Sequence, residues 1–312
     1  NQTSVTYRNL VAVKAFSPSI AVVAGEWGTV LRTIDSGRTW LASPTYTNTR
    51  FFDMVFSDFN NGWIAGYRGW ILRTSDNGLT WNQQPSGTTN TLTSVSFIDS
   101  NRGYAAGWNG TLLRTVNGGT TWQQLSSGST EDLWALSFAN ANAGIAVGLY
   151  GSILKTTNEG NSWSQVSAGA TSNLYAVLMM NETTIWIAGD GGVLRYTTDG
   201  GSTWTTKTTG SSASIKKILF IDANRGWLAG DPGIILHTST GGDLWTSQIS
   251  EATPGLQSIS FADHANGWAV GDNGTIVHTT TGGVVSVPID NQEILPTTIL
   301  LHQNYPNPFN PT

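Results

Sequence analysis

The stretch TIDSGRTW, residues 33–40, recurs at one fixed interval along the chain, and this interval decides the fold. Related octets end at six tryptophans spaced 41 residues apart: Trp40, Trp81, Trp122, Trp163, Trp204 and Trp245. A seventh copy, TTTGGVVS at 279–286, has Ser286 in the tryptophan position. A repeat of this length is typical of propellers and solenoids, and seven copies make residues 1–287 one domain.

Each unit contains the signals for four short strands. In residues 51–84, the runs at about 51–56, 62–66, 70–74 and 80–84 are separated by turn-forming Gly, Asn and Asp. Connections this short require antiparallel neighbours. Continuous apolar runs such as GWIAG, 62–66, indicate sheets buried on both faces. We therefore predict an all-β, seven-bladed β-propeller of four-stranded antiparallel blades, with an open β-solenoid as the alternative. The outer strand of the last blade is expected from 284–289 or from 1–7.

Composition excludes several classes of function. The chain of 312 residues has a net charge of −5, which argues against general nucleic-acid binding. It has no cysteine, so disulfides, thiol catalysis and thiolate metal sites are excluded. No apolar run approaches about 18 residues, and the sequence therefore predicts no membrane span.

The repeated octet has the chemistry of a turn. Its acidic or amide side chain can accept backbone N–H groups, its glycine can adopt a positive φ, and its tryptophan can pack on the blade. Residues 20–286 resemble the Asp-box, BNR and Ycf48-like propeller repeats, and the resemblance implies a structural role for the box, away from any catalytic face. Copies six and seven have Thr240 and Thr281 in the acid position, a drift that a catalytic or metal site would not tolerate easily. The expected structural residues are the six tryptophans with Asp35, Asp76, Asn117, Asn158 and Asp199.

A second periodic set lies eight residues before the tryptophan position. It consists of Arg32, Arg73, Arg114, Lys155, His237 and His278, with Tyr196 in blade five. We predict cation–π pairs across the hairpin, Arg32 with Trp40 and Arg73 with Trp81. A ring of anion-binding groups is the alternative.

The turn between the second and third strands reads G-x-x-G in every unit, starting at Gly25, Gly66, Gly107, Gly148, Gly189, Gly230 and Gly271. Its middle residues include an aromatic residue in each of blades one to four, with Arg68 added in blade two, but Asp190, Asp231 and Asp272 occur in blades five to seven. These turns should lie on the face opposite the Asp boxes. Exposed aromatic patches mark contact surfaces, so we predict ligand contact here. The alternative is that the aromatic rings plug the central channel. The predicted ligand-binding residues are Trp27, Tyr67, Arg68, Trp108, Tyr150, Arg8 and Arg50.

The C-terminal segment differs from the repeats. LHQNYPNPFNPT, residues 301–312, follows a linker at 288–300 and resembles the start of a type IX secretion system C-terminal sorting domain. The resemblance implies a truncated sorting domain, the type IX secretion machinery as a partner, and export across the outer membrane. We therefore expect a secreted or cell-surface protein.

These features favour a non-catalytic binding propeller for a protein or polysaccharide, without a cofactor or metal. The alternatives are a glycoside hydrolase or sialidase and a Ycf48-like assembly factor. A glycosidase needs two carboxyl groups about 5–9.5 Å apart. The strongest sign of a sialidase is the possible grouping of Arg8, Arg50 and Arg68 with Tyr67 and Glu26. The acids expected on the G-x-x-G face are mostly on different blades: Glu26, Glu131, Asp132, Asp190, Asp231 and Asp272.

Overall fold

A computed structural model of the chain describes residues 5–248 and 254–283. It contains seven antiparallel sheets that follow one another along the chain, each with its strands in sequence order. The first strands of neighbouring blades contact each other and surround a central channel. The fold is the predicted seven-bladed β-propeller.

The strands of all blades have similar bounds. The first strands are β1 (Leu10–Ala15), β5 (Phe51–Phe56), β9 (Leu92–Phe97), β13 (Leu133–Phe138), β17 (Leu174–Met179), β21 (Ser214–Phe220) and β25 (Leu256–Phe261). The second strands are β2 (Ala21–Gly25), β6 (Gly62–Gly66), β10 (Gly103–Gly107), β14 (Gly144–Gly148), β18 (Ile185–Gly189), β22 (Gly226–Asp231) and β26 (Gly267–Gly271). The third strands are β3 (Val30–Thr33), β7 (Ile71–Thr74), β11 (Leu112–Thr115), β15 (Ile153–Thr156), β19 (Leu194–Thr197), β23 (Ile234–Thr238) and β27 (Ile276–Thr279).

The outer strands are the shortest. They are β4 (Leu41–Ala42), β8 (Asn82–Gln84), β12 (Gln123–Leu125), β16 (Ser164–Gln165), β20 (Thr205–Thr206) and β24 (Thr246–Gln248). Four of the G-x-x-G turns form 3₁₀ turns: Tyr67–Gly69, Leu149–Gly151, Asp190–Gly192 and Asp272–Gly274. Blade 7 has three strands within the described residues. Its predicted outer strand at 284–289 lies outside them, as do the linker at 288–300 and the 301–312 segment. Residues 5–7, the described part of the other candidate, form no strand.

The hydrophobic core is divided among the interfaces between blades. Every residue of β6 is buried, as predicted from its continuous apolar run. Seven apolar clusters each join two neighbouring blades, and one of them joins Leu10 and Val23 of blade 1 to Trp268 and Ile276 of blade 7. The ring is therefore closed by packing between its first and last blades.

The two faces of the ring carry different turns. On one face, the Asp-box turn bonds to the turn between the first two strands, for example through Asn77 N and Asn60 O at 3.1 Å. On the other, the G-x-x-G turn bonds to the link between blades, for example through Gly28 N and Thr49 O at 2.7 Å. We call them the Asp-box face and the G-x-x-G face, and their separation follows the sequence prediction.

Each first strand has a bulge after its first paired residues. In blade 4 the register shifts between Leu133 and Ala135, so Trp134 is left out of the ladder. A bulge redirects a side chain without breaking the sheet. Equivalent shifts leave one residue per blade out of the ladder: Val11, Phe52, Thr93, Trp134, Tyr175, Lys216 and Gln257.

Candidate functional site

The Asp box is a self-contained hydrogen-bonded turn. Thr74 Oγ1 donates to Asp76 Oδ1 at 2.7 Å, and Thr80 donates to the same carboxylate from its backbone N at 2.9 Å and its hydroxyl at 2.6 Å. Gly78 N donates to Thr74 Oγ1 at 3.0 Å. In blade 3 the amide oxygen of Asn117 accepts the equivalent backbone bond at 2.9 Å. Asn117 Nδ2 also donates to Thr121 Oγ1 at 2.9 Å, so the bond to the hydroxyl is kept with its direction reversed, and the turn needs an oxygen acceptor for the backbone N–H but not an acid.

Hydrogen bonding holds the box aspartates in their ionised form. The Thr203 hydroxyl and backbone N–H, followed by the Thr197 hydroxyl, place the pKa of Asp199 well below its ordinary value. The Thr39 hydroxyl and backbone N–H similarly lower the pKa of Asp35. For Asp76, partial burial acts in the opposite direction, but the bonds from Thr80 and Thr74 outweigh it and the pKa is lowered.

These lowered pKa values predict a loss of stability in acid. Each aspartate has a lower pKa folded than unfolded, so its contribution is complete above the unfolded pKa, near 4, and falls as pH drops below it. The triple substitution Asp35→Asn, Asp76→Asn and Asp199→Asn should keep the turns, as Asn117 and Asn158 do. We expect the urea midpoint to fall less between pH 7 and pH 3 in this variant than in the parent. Equal falls in the two proteins would contradict the assignment.

The predicted cation–π pairs with the box tryptophans are wrong. Arg32 is paired across the hairpin with Leu41, so Trp40 is offset by one residue from its cross-strand position. Arg32 instead reaches the box of the next blade, where its Nη2 donates to Asn77 Oδ1 at 2.8 Å. The Arg73 guanidinium lies 5.6 Å from the ring centre of Trp63 rather than over Trp81.

The same link between blades occurs at the equivalent residues of blades 3 and 4. Arg114 Nη1 donates to Glu159 O at 3.0 Å, and Lys155 Nζ donates to Gly200 O. In blades 1, 3 and 4 the side chain at this position therefore holds the Asp-box turn of the next blade. Where the position is aromatic, its ring packs on a second-strand tryptophan of its own blade: Tyr196 on Trp186, His237 on Trp227 and His278 on Trp268.

Most of the predicted ligand-binding residues lie around one groove on the G-x-x-G face. This groove, between blades 1 and 2, has a volume of about 600 Å³ and is lined by Glu26, Trp27, Arg50, Tyr67, Arg68 and Trp70 together with residues 47–49. Arg8 borders it, because its Nη1 donates to Trp27 O at 3.0 Å. Trp27 and Tyr67 are 58% and 42% exposed, so the structure does not support the alternative in which they plug the channel.

The other two predicted aromatic residues lie elsewhere. Trp108 is half-buried on blade 3. Tyr150 is 72% exposed and lines a separate hollow with Glu131 between blades 3 and 4. The predicted aromatic half of the face is therefore divided between separate sites.

A cup at the mouth of the central channel was missed by the sequence analysis. Its volume is about 310 Å³, and Asn9, Arg50 and Asp272 contribute to its wall. The other lining residues are the seven bulged ones, one from each blade, which we call the channel-mouth ring: Val11, Phe52, Thr93, Trp134, Tyr175, Lys216 and Gln257. They are 41 residues apart and follow an apolar residue in every blade, yet their chemical type changes from blade to blade. This combination of a constant spacing and a variable residue type is the sequence pattern from which the ring could have been predicted.

An ion pair next to the cup joins two blades on either side of the channel. Lys217 Nζ of blade 6 lies 3.8 Å from Asp53 Oδ1 of blade 2, one residue beyond the channel-mouth ring in each strand. Asp53 Oδ2 also accepts hydrogen bonds from Ser94 Oγ at 3.0 Å and Val95 N at 3.1 Å. The charged groups of this ion pair therefore already have partners.

The wall of the cup combines aromatic rings with two cations. Lys216 Nζ lies 3.4 Å from the ring centre of Tyr175, and Trp134 meets Tyr175 edge to face at 5.8 Å. On the opposite side, the Arg50 guanidinium lies 4.9 Å from the ring centre of Phe52. Burial lowers the pKa of Lys216, although the carboxylates of Asp190, Asp231 and Asp272 act in the other direction.

The acidic turns beside the cup are arranged in two ways. Asp190 accepts hydrogen bonds from Ser214 Oγ at 2.6 Å, Tyr175 Oη at 3.0 Å and Asn173 Nδ2 at 3.1 Å. These bonds outweigh partial burial and lower the pKa of Asp190. Asp231 and Asp272 face each other across Gly255, where a Cβ atom would lie 3.0 Å or less from both side chains. Across residues 5–248 and 254–283, no group of three or more His, Cys, Asp or Glu side chains is arranged to hold a metal ion.

The grouping expected for a sialidase forms only in part. Arg50 and Glu26 meet at 3.1 Å, while Arg8 and Arg68 lie over the rings of Trp27 and Tyr67 at 5.7 Å and 5.6 Å. The three arginines therefore surround a groove, with each guanidinium placed against an aromatic ring or an acid. In the part of the chain that the structure describes, no helix has the length and apolar character to cross a membrane.

The fold and the Asp boxes define a seven-bladed Asp-box propeller, with a cup at the channel mouth and a groove between blades 1 and 2 on its G-x-x-G face. The chain belongs to the family described as photosynthesis system II assembly factor YCF48, whose profile matches residues 75–171 and 164–257. No match was found among curated proteins.

Solved structures share the fold. A structure titled "YCF48 bound to D1 peptide" is 20% identical with a TM-score of 0.74, over 89% of this chain and 95% of that one. "YCF48 from Cyanidioschyzon merolae" is 21% identical with a TM-score of 0.72, over 89% and 97% of the two chains. An ancestral GH74 enzyme is 15% identical with a TM-score of 0.70, over 88% of this chain and 45% of that enzyme. At these identities the likeness shows the fold alone.

Proposed function

We propose that this chain is a non-catalytic interaction propeller that binds a segment of a partner protein in the channel-mouth cup. The observation that carries the proposal is the convergence of seven bulged residues, one from each blade, on one concave site. Concave sites lined by aromatic side chains and a few polar groups are the usual place for ligands. The side chains differ between blades while the surrounding scaffold repeats, as expected for a surface that recognises a particular partner.

The chemistry of the cup suits an apolar side chain next to an acidic group. Trp134, Tyr175 and Phe52 offer aromatic surface, and aromatic residues dominate binding energy at protein interfaces. Lys216 places positive charge at the mouth, whereas Arg50 on the opposite side is already paired with Glu26 at 3.1 Å. Because burial already disfavours the charged form of Lys216, an anionic group of the partner would stabilise that charge.

Family membership supports a protein partner. The YCF48 structure in complex with a D1 peptide has this fold and carries a peptide. A role in the assembly of a protein complex is therefore the second candidate function. It shares the binding step with the first and adds that the bound partner is then incorporated into a larger complex. The GH74 likeness supports no hydrolase proposal, because it shows the fold alone.

The proposed setting is the cell surface or the medium, with delivery by the type IX secretion machinery. This part of the proposal rests on the resemblance of residues 301–312 to a sorting domain. Those residues lie outside the described part of the structure.

Peptide selection can test the site. Twelve-residue peptides selected from a random display library against the parent should bind at least about tenfold more weakly to a Trp134→Thr, Tyr175→Gln variant. Both new side chains occur at equivalent positions in this chain, as Thr93 and Gln257, so the bulge should be kept. Tyr150→Ala, an exposed aromatic residue outside the cup, is the matched control and should bind as the parent does. Failure to select any peptide, or unchanged binding by the folded double variant, would refute the proposal.

A further inference from the structure

We propose that the groove between blades 1 and 2 is a second binding site, separate from the cup, and that it takes an acidic polysaccharide. The proposal does not depend on the peptide site, although Arg50 lies on the wall of both. It rests on backbone strain at two exposed aromatic residues, on the hydrogen bonding of the groove, and on its charge.

Blade 1 holds two aromatic residues in a left-handed backbone conformation. Tyr46 has φ of 53° and is 90% exposed. The equivalent positions in the next four links are glycines with positive φ: Gly87, Gly128, Gly169 and Gly210. Trp27 has φ of 57°; at the equivalent position Arg68 and Tyr150 also have a positive φ in blades 2 and 4, whereas blades 3 and 7 have Asn109 and Asn273 there. Gly and Asn tolerate this region, and bulky side chains rarely adopt it.

The strain has no compensation in the packing of these two residues. Both rings are largely in solvent, and the repeats show that Gly or Asn serves the same turn. Strained residues of this kind concentrate at ligand-binding positions, where the side chain has a use outside the fold. The link that carries Tyr46 is fastened to the turn that carries Trp27, because Thr45 Oγ1 donates to Gly28 O at 2.8 Å. Tyr46 does not itself line the groove, but it directly precedes Thr47, which does, so it stands at the edge of the groove that Trp27 lines.

The hydrogen bonding of the groove favours a sugar over an extended peptide. Peptides that bind along a backbone edge need free N–H and C=O groups. Here Gly28 N donates to Thr49 O at 2.7 Å, and Tyr67 N donates to Arg50 O at 2.8 Å. Recognition would fall to the aromatic faces and to the hydroxyl and amide groups of residues 47–49. The negative face of an aromatic ring suits the partly positive C–H face of a pyranose.

The charge of the groove selects an acidic sugar. Glu26 forms an ion pair with Arg50 at 3.1 Å and neutralises it. Arg8 and Arg68 lie over the Trp27 and Tyr67 rings, and among the described residues neither forms an ion pair with a carboxylate. Two positive charges thus remain beside the exposed rings. A sugar with carboxylate or sulfate groups can contact a ring and an arginine together.

Binding measurements on parent and variants test the site. The probes are polygalacturonate, alginate and chondroitin sulfate, with neutral dextran and poly-L-glutamate for comparison. The parent should bind at least one of the three acidic polysaccharides. It should bind dextran and poly-L-glutamate much more weakly. Tyr46→Gly and Trp27→Asn install the residues of the other repeats, so neither should lower the melting temperature, yet each should weaken binding at least about tenfold.

The control is Tyr150→Asn, which removes an exposed aromatic residue with φ of 54° outside the groove. It should bind within about twofold of the parent, a difference of at most about 0.4 kcal/mol. The proposal is overturned if the parent binds none of the acidic polysaccharides, or if the Tyr46→Gly, Trp27→Asn double variant binds as the parent does. It is also overturned if poly-L-glutamate binds as tightly, which would indicate an acidic protein segment.

Discussion

Replacement of Trp81 by alanine should lower the free energy of unfolding by about 3–5 kcal/mol, the usual range for a large buried aromatic residue. Trp81 is 2% exposed, and its ring meets Phe56 edge to face with centres 5.9 Å apart. It also packs in a cluster that includes Val22 of blade 1, so its loss opens a cavity between two blades. Urea unfolding followed by tryptophan fluorescence and far-ultraviolet circular dichroism would measure the change.

Two other substitutions calibrate this result. Asp76→Ala removes hydrogen bonds within one turn and should cost about 1–2 kcal/mol. Trp163→Ala removes the same residue from a half-buried position, so its effect should be smaller than that of Trp81→Ala. If Trp81→Ala left stability unchanged but abolished binding, the box tryptophans would have a functional role and the structural interpretation would be wrong.

Gly110→Ala should destabilise the protein by about 3–5 kcal/mol through two additive effects, backbone strain and a collision. Gly110 has φ of 64°, a conformation that L-residues rarely adopt. A Cβ atom there would lie 1.9 Å from the carbonyl oxygen of Ser129, in the link to blade 4. Because the obstacle is backbone, the turn or the link would have to move.

Gly128→Ala separates the two effects. Gly128 has a similar φ of 70°, but a Cβ atom there would meet nothing within 4 Å. This variant has the backbone strain without the collision and should lose only about 1 kcal/mol. Equal losses in Gly110→Ala and Gly128→Ala, measured from urea unfolding, would show that the close approach of turn and link is unimportant.

The repeat predicted the fold because its signals recurred along the chain at one fixed spacing. In blade 2 the expected strands at 51–56 and 62–66 have the observed bounds, whereas those at 70–74 and 80–84 begin one and two residues late. The late starts have a local cause. The preceding turn, which includes Trp81 before the fourth strand, continues past the predicted start, and strand pairing begins only after it. The placement of the turns on opposite faces followed from strand alternation.

The sites were harder to predict because they depend on register and on neighbouring blades. The bulge that turns Trp134 and Lys216 into the channel is a shift in pairing, and residue types alone do not show it. Arg32 was paired with the wrong partner for a similar reason. Its contact, Asn77, is 45 residues away in the next blade, whereas the prediction considered only its own hairpin. The groove between blades 1 and 2 was partly predicted, because exposed aromatic residues at turn tips are visible in sequence.

The packing of blade 7 on blade 1 makes the propeller a ring with one seam. Most contacts between blades join residues about one repeat apart, so they close short loops of similar length. At the seam, Val13 N donates to Ser258 Oγ, 245 residues away, and Ala15 N donates to Ser260 Oγ. A chain that opens there exposes two complementary apolar faces, one on each end blade. Blade 7 of one copy can then pack on blade 1 of another, and this head-to-tail exchange gives chains or larger rings unless the seam closes first.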